Sequence, residues 1–217
     1  MITYVSSFPT TLESGTPGLL NHLNKRENVN GPLISKKSEL TFFWVEFESD
    51  FKSTKTVDIK SCNGKKLAKV NKDFADSMKL EGTGITKDGR VFNLDDCECG
   101  SSYSCFFQLD KTKFPFGISS SGVPLVPFVT VAANDIKKGT LIYIPKLDGI
   151  VLPNGKTHNG CLRVDDEGFS FGNKHIDWFV AKKSNFNALI KKNSFSSVEV
   201  FSGTSPSGKK CTILNYL

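Results

Sequence analysis

The sequence predicts an all-β domain, a barrel or a sandwich, with only a few short helices. Many short segments alternate between apolar and polar residues, which is the pattern of strands that bury one face. Asn-Gly, Asp-Gly and Ser-Gly pairs separate these segments and are typical of tight hairpin turns. The chain has 18 Phe against 2 Met, which favours aromatic side chains packed against sheets over an adaptable helical core.

The predicted strands follow one another from residue 40 to the end of the chain. They cover residues 40–48, 56–62, 89–94, 123–133, 140–145, 160–166, 175–181, 196–203 and 210–216. Three short helices are predicted at 17–26, 72–79 and 184–193, the last with Ser184 as its cap. We divide the chain into an N-terminal β extension or subdomain, residues 1–75, and a main β domain, residues 76–217.

Composition and charge narrow the class of protein. Hydrophobic residues make up 38% of the 217 residues, enough for one large globular core. The net charge of +6 comes from scattered lysine pairs, which indicate either solvated faces or attraction to an anionic polymer. Zinc-finger spacing and arginine-rich recognition helices are absent from the sequence, so we expect no nucleic-acid partner. The chain lacks the ~20-residue apolar run of a membrane-spanning helix.

Six cysteines, at positions 62, 97, 99, 105, 161 and 211, indicate where the protein works. An even number at irregular spacing favours two or three disulfides, formed in an oxidising compartment, although six reduced, buried thiols are the alternative. The pairing stays open. We therefore predict a secreted protein and interpret Met1 as following a removed leader. Cys97 and Cys99 are too close for a zinc knuckle, and we expect no metal or organic cofactor.

Two aspartates, Asp166 and Asp177, are the candidate catalytic residues. Asp177 lies between Ile176 and Trp178 on a predicted strand, so alternation puts its carboxyl on the opposite face from both. A carboxyl among apolar neighbours is partly desolvated, which raises its pKa and favours the protonated form that a general acid needs. The alternative is structural: Asp177 caps a turn or pairs with a lysine, and residues 165–167 are an acidic turn.

Aromatic residues near this pair are candidates for binding a sugar. Tyr143 and Trp178 are able to stack on sugar rings, although aromatic residues on strands more often belong to the core. His158 precedes Gly160 near the predicted cleft and is a further candidate, with an ordinary loop histidine as the alternative. For His175 we expect a structural role.

Residues 121–181 resemble the 3D domain, a family named for three aspartates. The motifs that carry the resemblance are a Gly-Thr turn, a strand ending in Ile-Pro, an Asp-x-Gly element and Gly-Asn-x-x-x-Asp: Gly139-Thr140, Ile144-Pro145, 166–168 and 172–177. This family is a six-stranded double-psi β-barrel found in membrane-bound lytic transglycosylases of the A type. The resemblance extends over about residues 82–203 and implies such a barrel within 76–217.

The resemblance also implies roles for individual residues. The family's aspartate on the final strand, here Asp177, acts as general acid and then as base, and Asp166 stands beside it in the cleft. The region of the family's first aspartate contains Asn134 and Asp135, so either residue substitutes for it or that aspartate is lost. Asp135 is therefore added to the substrate-binding candidates. Phe169 occupies the position of a glycine that is common after the Asp-x-Gly element.

The expected function is that of a secreted, monomeric enzyme that cleaves a cell-wall glycan, with peptidoglycan as the first choice of polysaccharide. A lytic transglycosylase uses the muramic sugar's own 6-hydroxyl as nucleophile, whereas a muramidase-like hydrolase uses water with Asp166 as the second carboxylate. One alternative is a hydrolase of cellulose-like or chitin-like chains. A non-catalytic module that binds the wall or inhibits a protease is the second alternative.

Overall fold

A computed structural model describes residues 31–99 and 102–217 of the chain. The described part is mostly β, as the sequence predicts. The strands are β1 (Leu33–Phe43), β2 (Glu46–Phe47), β3 (Thr56–Lys60), β4 (Lys66–Asn71), β5 (Thr83–Ile85), β6 (Val91–Leu94), β7 (Phe106–Leu109), β8 (Thr130–Ala132), β9 (Leu141–Val151), β10 (Thr157–Asp166), β11 (His175–Phe179) and β12 (Ser197–Ser202). The described helices are α1 (Lys72–Glu81) and α2 (Lys183–Lys192), with a 3-10 turn at Glu48–Asp50.

Six strands close into a barrel in the order β1-β11-β8-β10-β9-β12, which confirms the predicted six-stranded barrel. The pairs β1·β11 and β8·β10 are parallel, and the remaining neighbouring pairs are antiparallel. Alternation along each strand fills the interior with apolar side chains, including Val131, Ile142, Leu162 and Trp178. The residues between them point outward from the barrel.

The chain between β1 and β8 carries two further sheets, and we call residues 46–125 the insert. One sheet has the order β2-β5-β6-β7, and the second is the hairpin β3-β4. Their core lies around α1 and includes Ile59, Phe74 and Phe92, all fully buried. The side chain of Asn71 caps α1 by accepting hydrogen bonds from the next helical N–H groups, and Gly82, with φ +84°, ends the helix in the left-handed conformation.

The sheets do not divide at residue 75, where the sequence suggested a boundary. β1, from the predicted N-terminal extension, lies between β11 and β12 in the barrel. β5, β6 and β7, from the predicted main domain, belong to the insert. Alternation identifies a strand but carries no information about its partner, so the sequence does not show that β1 pairs within the barrel.

The helices predicted at 72–79 and 184–193 are present as α1 and α2, and the helix predicted at 17–26 lies outside the described residues. The segment 210–216 forms no strand. It is extended, with one bridge from Lys210 to Thr204, and it places Tyr216 in the barrel core. Of the predicted strand 123–133, only β8 forms a ladder, since residues 126–129 make a turn.

Three disulfides join Cys62 to Cys97, Cys99 to Cys105 and Cys161 to Cys211, which confirms the predicted cystines. The first two stabilise the insert, and the third ties β10 to the C-terminal segment. Across the described ranges, the helices are too short and too polar to cross a membrane.

Candidate active site

Asp166 and Asp177 lie in one row of side chains on the outer face of the barrel. Strand β8 runs between β10 and β11, and its Ala132 is in register with both aspartates. Thr41 of β1 is in register with Asp177 on its far side. Since strands are about 4.8 Å apart, the two aspartate Cα atoms are separated by about 10 Å.

The outer face beside this row packs against the insert. Phe43 and Phe179, which end β1 and β11, contact a buried cluster that contains Phe47 and Leu125 of the insert. The rings of Phe43 and Phe179 lie 5.0 Å apart. Asp177 therefore stands next to the seam between the barrel and the insert, where burial reduces its contact with water.

Burial raises the pKa of the Asp177 carboxyl above its ordinary value, and the nearby charge of Asp166 acts in the same direction. A hydrogen bond of 2.7 Å from the Thr41 hydroxyl to Asp177 Oδ1 and the proximity of His175 oppose this effect without cancelling it. The carboxyl consequently keeps its proton to a higher pH than an exposed aspartate does. This is the protonation state that the sequence predicted for a general acid.

Thr41 and His175 were not among the residues that the sequence singled out for chemistry. The Nε2 atom of His175 lies 2.7 Å from Thr41 Oγ1, and its Nδ1 atom lies 3.5 Å from a carboxylate oxygen of Glu39. Its ring stacks on Phe171 with centroids 4.1 Å apart. One signal was available, because residues two apart on a strand share a face, and this rule puts His175 beside Asp177. The contribution of Thr41 depends on strand pairing and had no local signal.

Asp166 and its neighbour Asp165 have different environments. The Asp166 carboxylate is partly exposed and accepts hydrogen bonds from the backbone N–H groups of Ser120 (2.8 Å) and Glu167 (3.0 Å). Asp165 is only 2% exposed and is paired with Arg163 at 2.5 Å and with the Thr130 hydroxyl at 2.7 Å. Asp166 thus faces the candidate site, whereas Asp165 is a buried ion pair.

Asp135 is exposed and accepts a hydrogen bond of 2.8 Å from the backbone N–H of Lys174. Its neighbour Asn134 bridges Gly168 and Phe171 with hydrogen bonds of 2.7 to 2.9 Å. The two residues therefore hold the loop between β10 and β11. Neither is hydrogen-bonded to Asp166 or Asp177 in the described part of the structure.

His158 and Trp178 lie inside the barrel, and Tyr143, although outside its core cluster, is also buried, so little of the three side chains is accessible to a sugar. His158 is fully buried, its Nε2 atom lies 2.8 Å from the Phe128 carbonyl, and burial lowers its pKa to about 4. Trp178 is also fully buried. Tyr143 is 6% exposed and donates a hydrogen bond to Asp148. The physical reason is alternation: the same periodicity that turns Asp177 outward turns Trp178 inward.

Glu81, the last residue of α1, is a further carboxyl at the seam that the sequence did not indicate. Burial raises its pKa to about 7, and the charges of Glu46 and Asp177 add to the effect. Glu46 in turn accepts a hydrogen bond of 3.0 Å from the indole of Trp44. In the ranges that the structure describes, acidic, histidine and cysteine side chains form no cluster suited to a metal ion.

No protein-family model matches the sequence, and no curated protein matches it either. Solved structures do match. Escherichia coli MltA with bound chitohexaose is 13% identical, over 79% of this chain and 73% of that one, with a TM-score of 0.52. The fold is similar to that of MltA. Further matches are a membrane-bound lytic murein transglycosylase from Agrobacterium tumefaciens (13% identity, 78% and 75% covered, TM-score 0.44) and MltA from Neisseria gonorrhoeae (11%, 84% and 69%, 0.44).

The similarity to E. coli MltA agrees with the fold that the sequence motifs imply. The structural similarity includes 79% of the chain, whereas the sequence motifs lie within residues 121–181. At 13% identity the similarity concerns the fold, and the roles of individual residues have to be argued from this chain's own geometry.

Proposed function

We propose that this protein cleaves the glycan strands of peptidoglycan and that Asp177 is its general acid and base. The observation that carries the proposal is the state of Asp177: an outward-facing carboxyl at the seam of an MltA-like barrel, with a pKa raised by burial. Among its solved neighbours, E. coli MltA was crystallised with chitohexaose, an oligosaccharide, which supports a glycan as the substrate class.

The chemistry starts with the protonated Asp177, which donates its proton to the glycosidic oxygen as the C–O bond breaks. Positive charge then develops on the sugar ring, and the carboxylates of Asp177 and Asp166 stabilise it. The Asp177 carboxylate next removes a proton from the attacking hydroxyl, which regenerates the acid. If that hydroxyl is the 6-hydroxyl of the muramic sugar, as in the family that the sequence resembles, the product carries a 1,6-anhydro end.

Hydrolysis is the second candidate reaction, because a second carboxylate, Asp166, lies across β8 from Asp177. Inverting glycosidases place their two carboxyls about 6.5–9.5 Å apart, so that a water fits between acid and base. The Cα atoms of Asp166 and Asp177 are about 10 Å apart, and this reaction requires their carboxyls to lie within the range of the inverting enzymes. In that case Asp166 activates the water and the product has an ordinary reducing end.

Export from the cytoplasm is part of the proposal. Three disulfides are stable only in an oxidising compartment, which is also where peptidoglycan is found. The net charge of +6 favours attraction to the anionic wall, and its scattered distribution suits a polymer better than a small anion.

The test is incubation of the native chain with purified peptidoglycan and, separately, with chitin hexamer, followed by mass analysis of the products. We expect 1,6-anhydro ends from peptidoglycan, and a rate lowered by about 10²–10⁴-fold in Asp177→Asn. Asp166→Asn should lower the rate less if transglycosylation is the reaction. Asp96→Asn is the matched control, since it makes the same change at an exposed carboxylate of the insert.

Three different results would change the conclusion. Undiminished cleavage by Asp177→Asn would refute the acid assignment. Products with reducing ends, together with equal losses in Asp166→Asn and Asp177→Asn, would establish hydrolysis. Tight binding to the wall without turnover by the native chain would overturn the enzymatic function in favour of a wall-binding module.

A further inference from the structure

His175, Thr41 and Asp177 form a continuous chain of hydrogen bonds across β11 and β1. The Nε2 atom of His175 lies 2.7 Å from the Thr41 hydroxyl oxygen, and that hydroxyl donates to Asp177 Oδ1 at 2.7 Å. Register explains the contact, because Thr41 is paired with Asp177 and His175 lies two residues earlier on the same face. These hydrogen bonds therefore link the proposed acid to an imidazole, which is able either to donate or to accept a hydrogen bond.

A hydroxyl has a single proton, so the direction of these hydrogen bonds is defined. When Thr41 donates to Asp177, its oxygen is left to accept, and only a protonated Nε2 of His175 satisfies it. In that arrangement Asp177 Oδ1 is an acceptor. A proton on the Asp177 carboxyl then has to reside on the second oxygen, Oδ2.

Oδ2 is the carboxyl oxygen that Thr41 leaves uncovered. Among residues 31–99 and 102–217, the hydrogen bond from Thr41 is made to Oδ1 and not to Oδ2. A proton on Oδ1 would point at the Thr41 hydroxyl, whereas a proton on Oδ2 remains available for transfer.

We propose that His175 is a positioning residue that acts through Thr41 to hold the Asp177 proton on Oδ2, where the glycosidic oxygen is able to receive it. The inference rests on the proposed function only in giving Asp177 the role of the acid. The imidazole is itself fixed, since its ring stacks on Phe171 with an interplanar angle of 9°.

The direction of the hydrogen bonds is able to reverse. If His175 loses its Nε2 proton and donates from Nδ1 to Glu39, 3.5 Å away, the Thr41 hydroxyl turns toward the imidazole. The Thr41 oxygen then accepts a hydrogen bond from Asp177 only if the Asp177 proton is on Oδ1, which is the unproductive position. Besides His175 and Glu39, the charged groups that face Asp177 are Asp166 from β10 and Glu81 from α1. Asp166 hinders ionisation of Asp177, and the charge of Asp177 in turn raises the pKa of Glu81; neither effect depends on the direction of the hydrogen bonds.

Four variants separate this role from simple packing. Thr41→Val removes the hydroxyl at nearly constant shape, and Thr41→Ser keeps it. His175→Phe keeps the stack on Phe171 but has no donor, whereas His175→Gln keeps an N–H near the position of Nε2 without titrating. Two measurements apply to all of them: titration of the Asp177 carboxyl by carbon-13 NMR, and the pH dependence of kcat/KM on peptidoglycan.

We expect Thr41→Val and His175→Phe to raise the pKa of Asp177, since each removes an interaction that favours its ionised form. Both should lower kcat/KM about tenfold, which is the effect of losing one charge-assisted hydrogen bond. Thr41→Ser should restore both values. His175→Gln should keep kcat/KM, because its side-chain amide still donates to the Thr41 oxygen.

The proposal is overturned if Thr41→Val and His175→Phe leave both the Asp177 titration and the pH profile as in the native chain. A loss that is equal in Thr41→Ser and Thr41→Val would also overturn it, because packing and not the hydroxyl would then be responsible. If the native chain cleaves no glycan but the NMR titration responds as expected, the hydrogen-bond chain stands and the proposed function fails.

Discussion

Asp166 and Asp177 lie on opposite sides of β8, and each is in register with the same residue of that strand. Ala132, which lies between them, has a small side chain and is only 3% exposed. The spacing of the two aspartates is therefore set by the pairing of barrel strands and not by a loop.

Asp165 and Asp166 are adjacent in sequence, and we predict opposite consequences for the same substitution. Asp165→Asn leaves Arg163 without its buried partner and should lower the free energy of unfolding by about 3–5 kcal/mol. Asp166→Asn should change stability by less than about 1 kcal/mol and act on turnover instead. Urea denaturation and the peptidoglycan assay on the same two variants check this. Equal destabilisation by both would contradict the difference in their environments.

Glu81→Gln should stabilise the protein at pH 8 and not at pH 4. The folded-state pKa of Glu81 is raised from 4.5 to about 7, so the native state binds more protons than the unfolded state between these values. Stability therefore falls as pH rises through this window, by roughly 3 kcal/mol at 1.36 kcal/mol per pKa unit. Glutamine does not ionise, so the variant does not lose this stability as the pH rises. Chemical denaturation at pH 4, 6 and 8 measures it, with the exposed Glu199→Gln as control.

His158→Phe should make stability less sensitive to acid. Burial lowers the pKa of His158 from 6.5 to about 4, so the unfolded state binds more protons between these values and the native chain loses stability as pH falls through them. Phenylalanine keeps a ring against Tyr216 but leaves the Phe128 carbonyl unsatisfied, at a cost of about 1–3 kcal/mol at pH 7. Denaturation at pH 7 and pH 4.5 tests both effects. An unchanged slope with pH would contradict the assignment.

Loss of the Cys161–Cys211 disulfide should destabilise the protein more than loss of Cys99–Cys105. The sequence separations are 50 and 6 residues, and chain entropy predicts losses of about 4 and 2 kcal/mol when each pair is replaced by alanine. Both cysteines of the longer bridge are almost fully buried, so the C-terminal segment is held by packing as well. Urea unfolding of the two double variants provides the comparison. Equal losses would show that packing outweighs chain entropy.

The fold class could be predicted because it follows from local patterns. Period-two alternation and Asn-Gly or Asp-Gly turns mark most of the strands, and both described helices were predicted. The cap predicted for α2 is wrong: Ser184 lies inside the helix, whose N-cap is Lys182 without a side-chain hydrogen bond. The candidate acid could be predicted for the same reason, since alternation places Asp177 on the face opposite Ile176 and Trp178. That Trp178 lies inside the barrel could not be predicted, because alternation indicates two faces without showing which one is inside.

The sequence by itself determined that this protein is a β-rich domain with an even number of cysteines and an aspartate pair eleven residues apart. Only the tertiary structure decided that β1 closes the barrel, that Trp178 lies inside it, and that Thr41 meets Asp177 from 136 residues away along the chain. The physical reason is that a strand's periodicity is local, whereas its partners and register are set by closing the whole sheet.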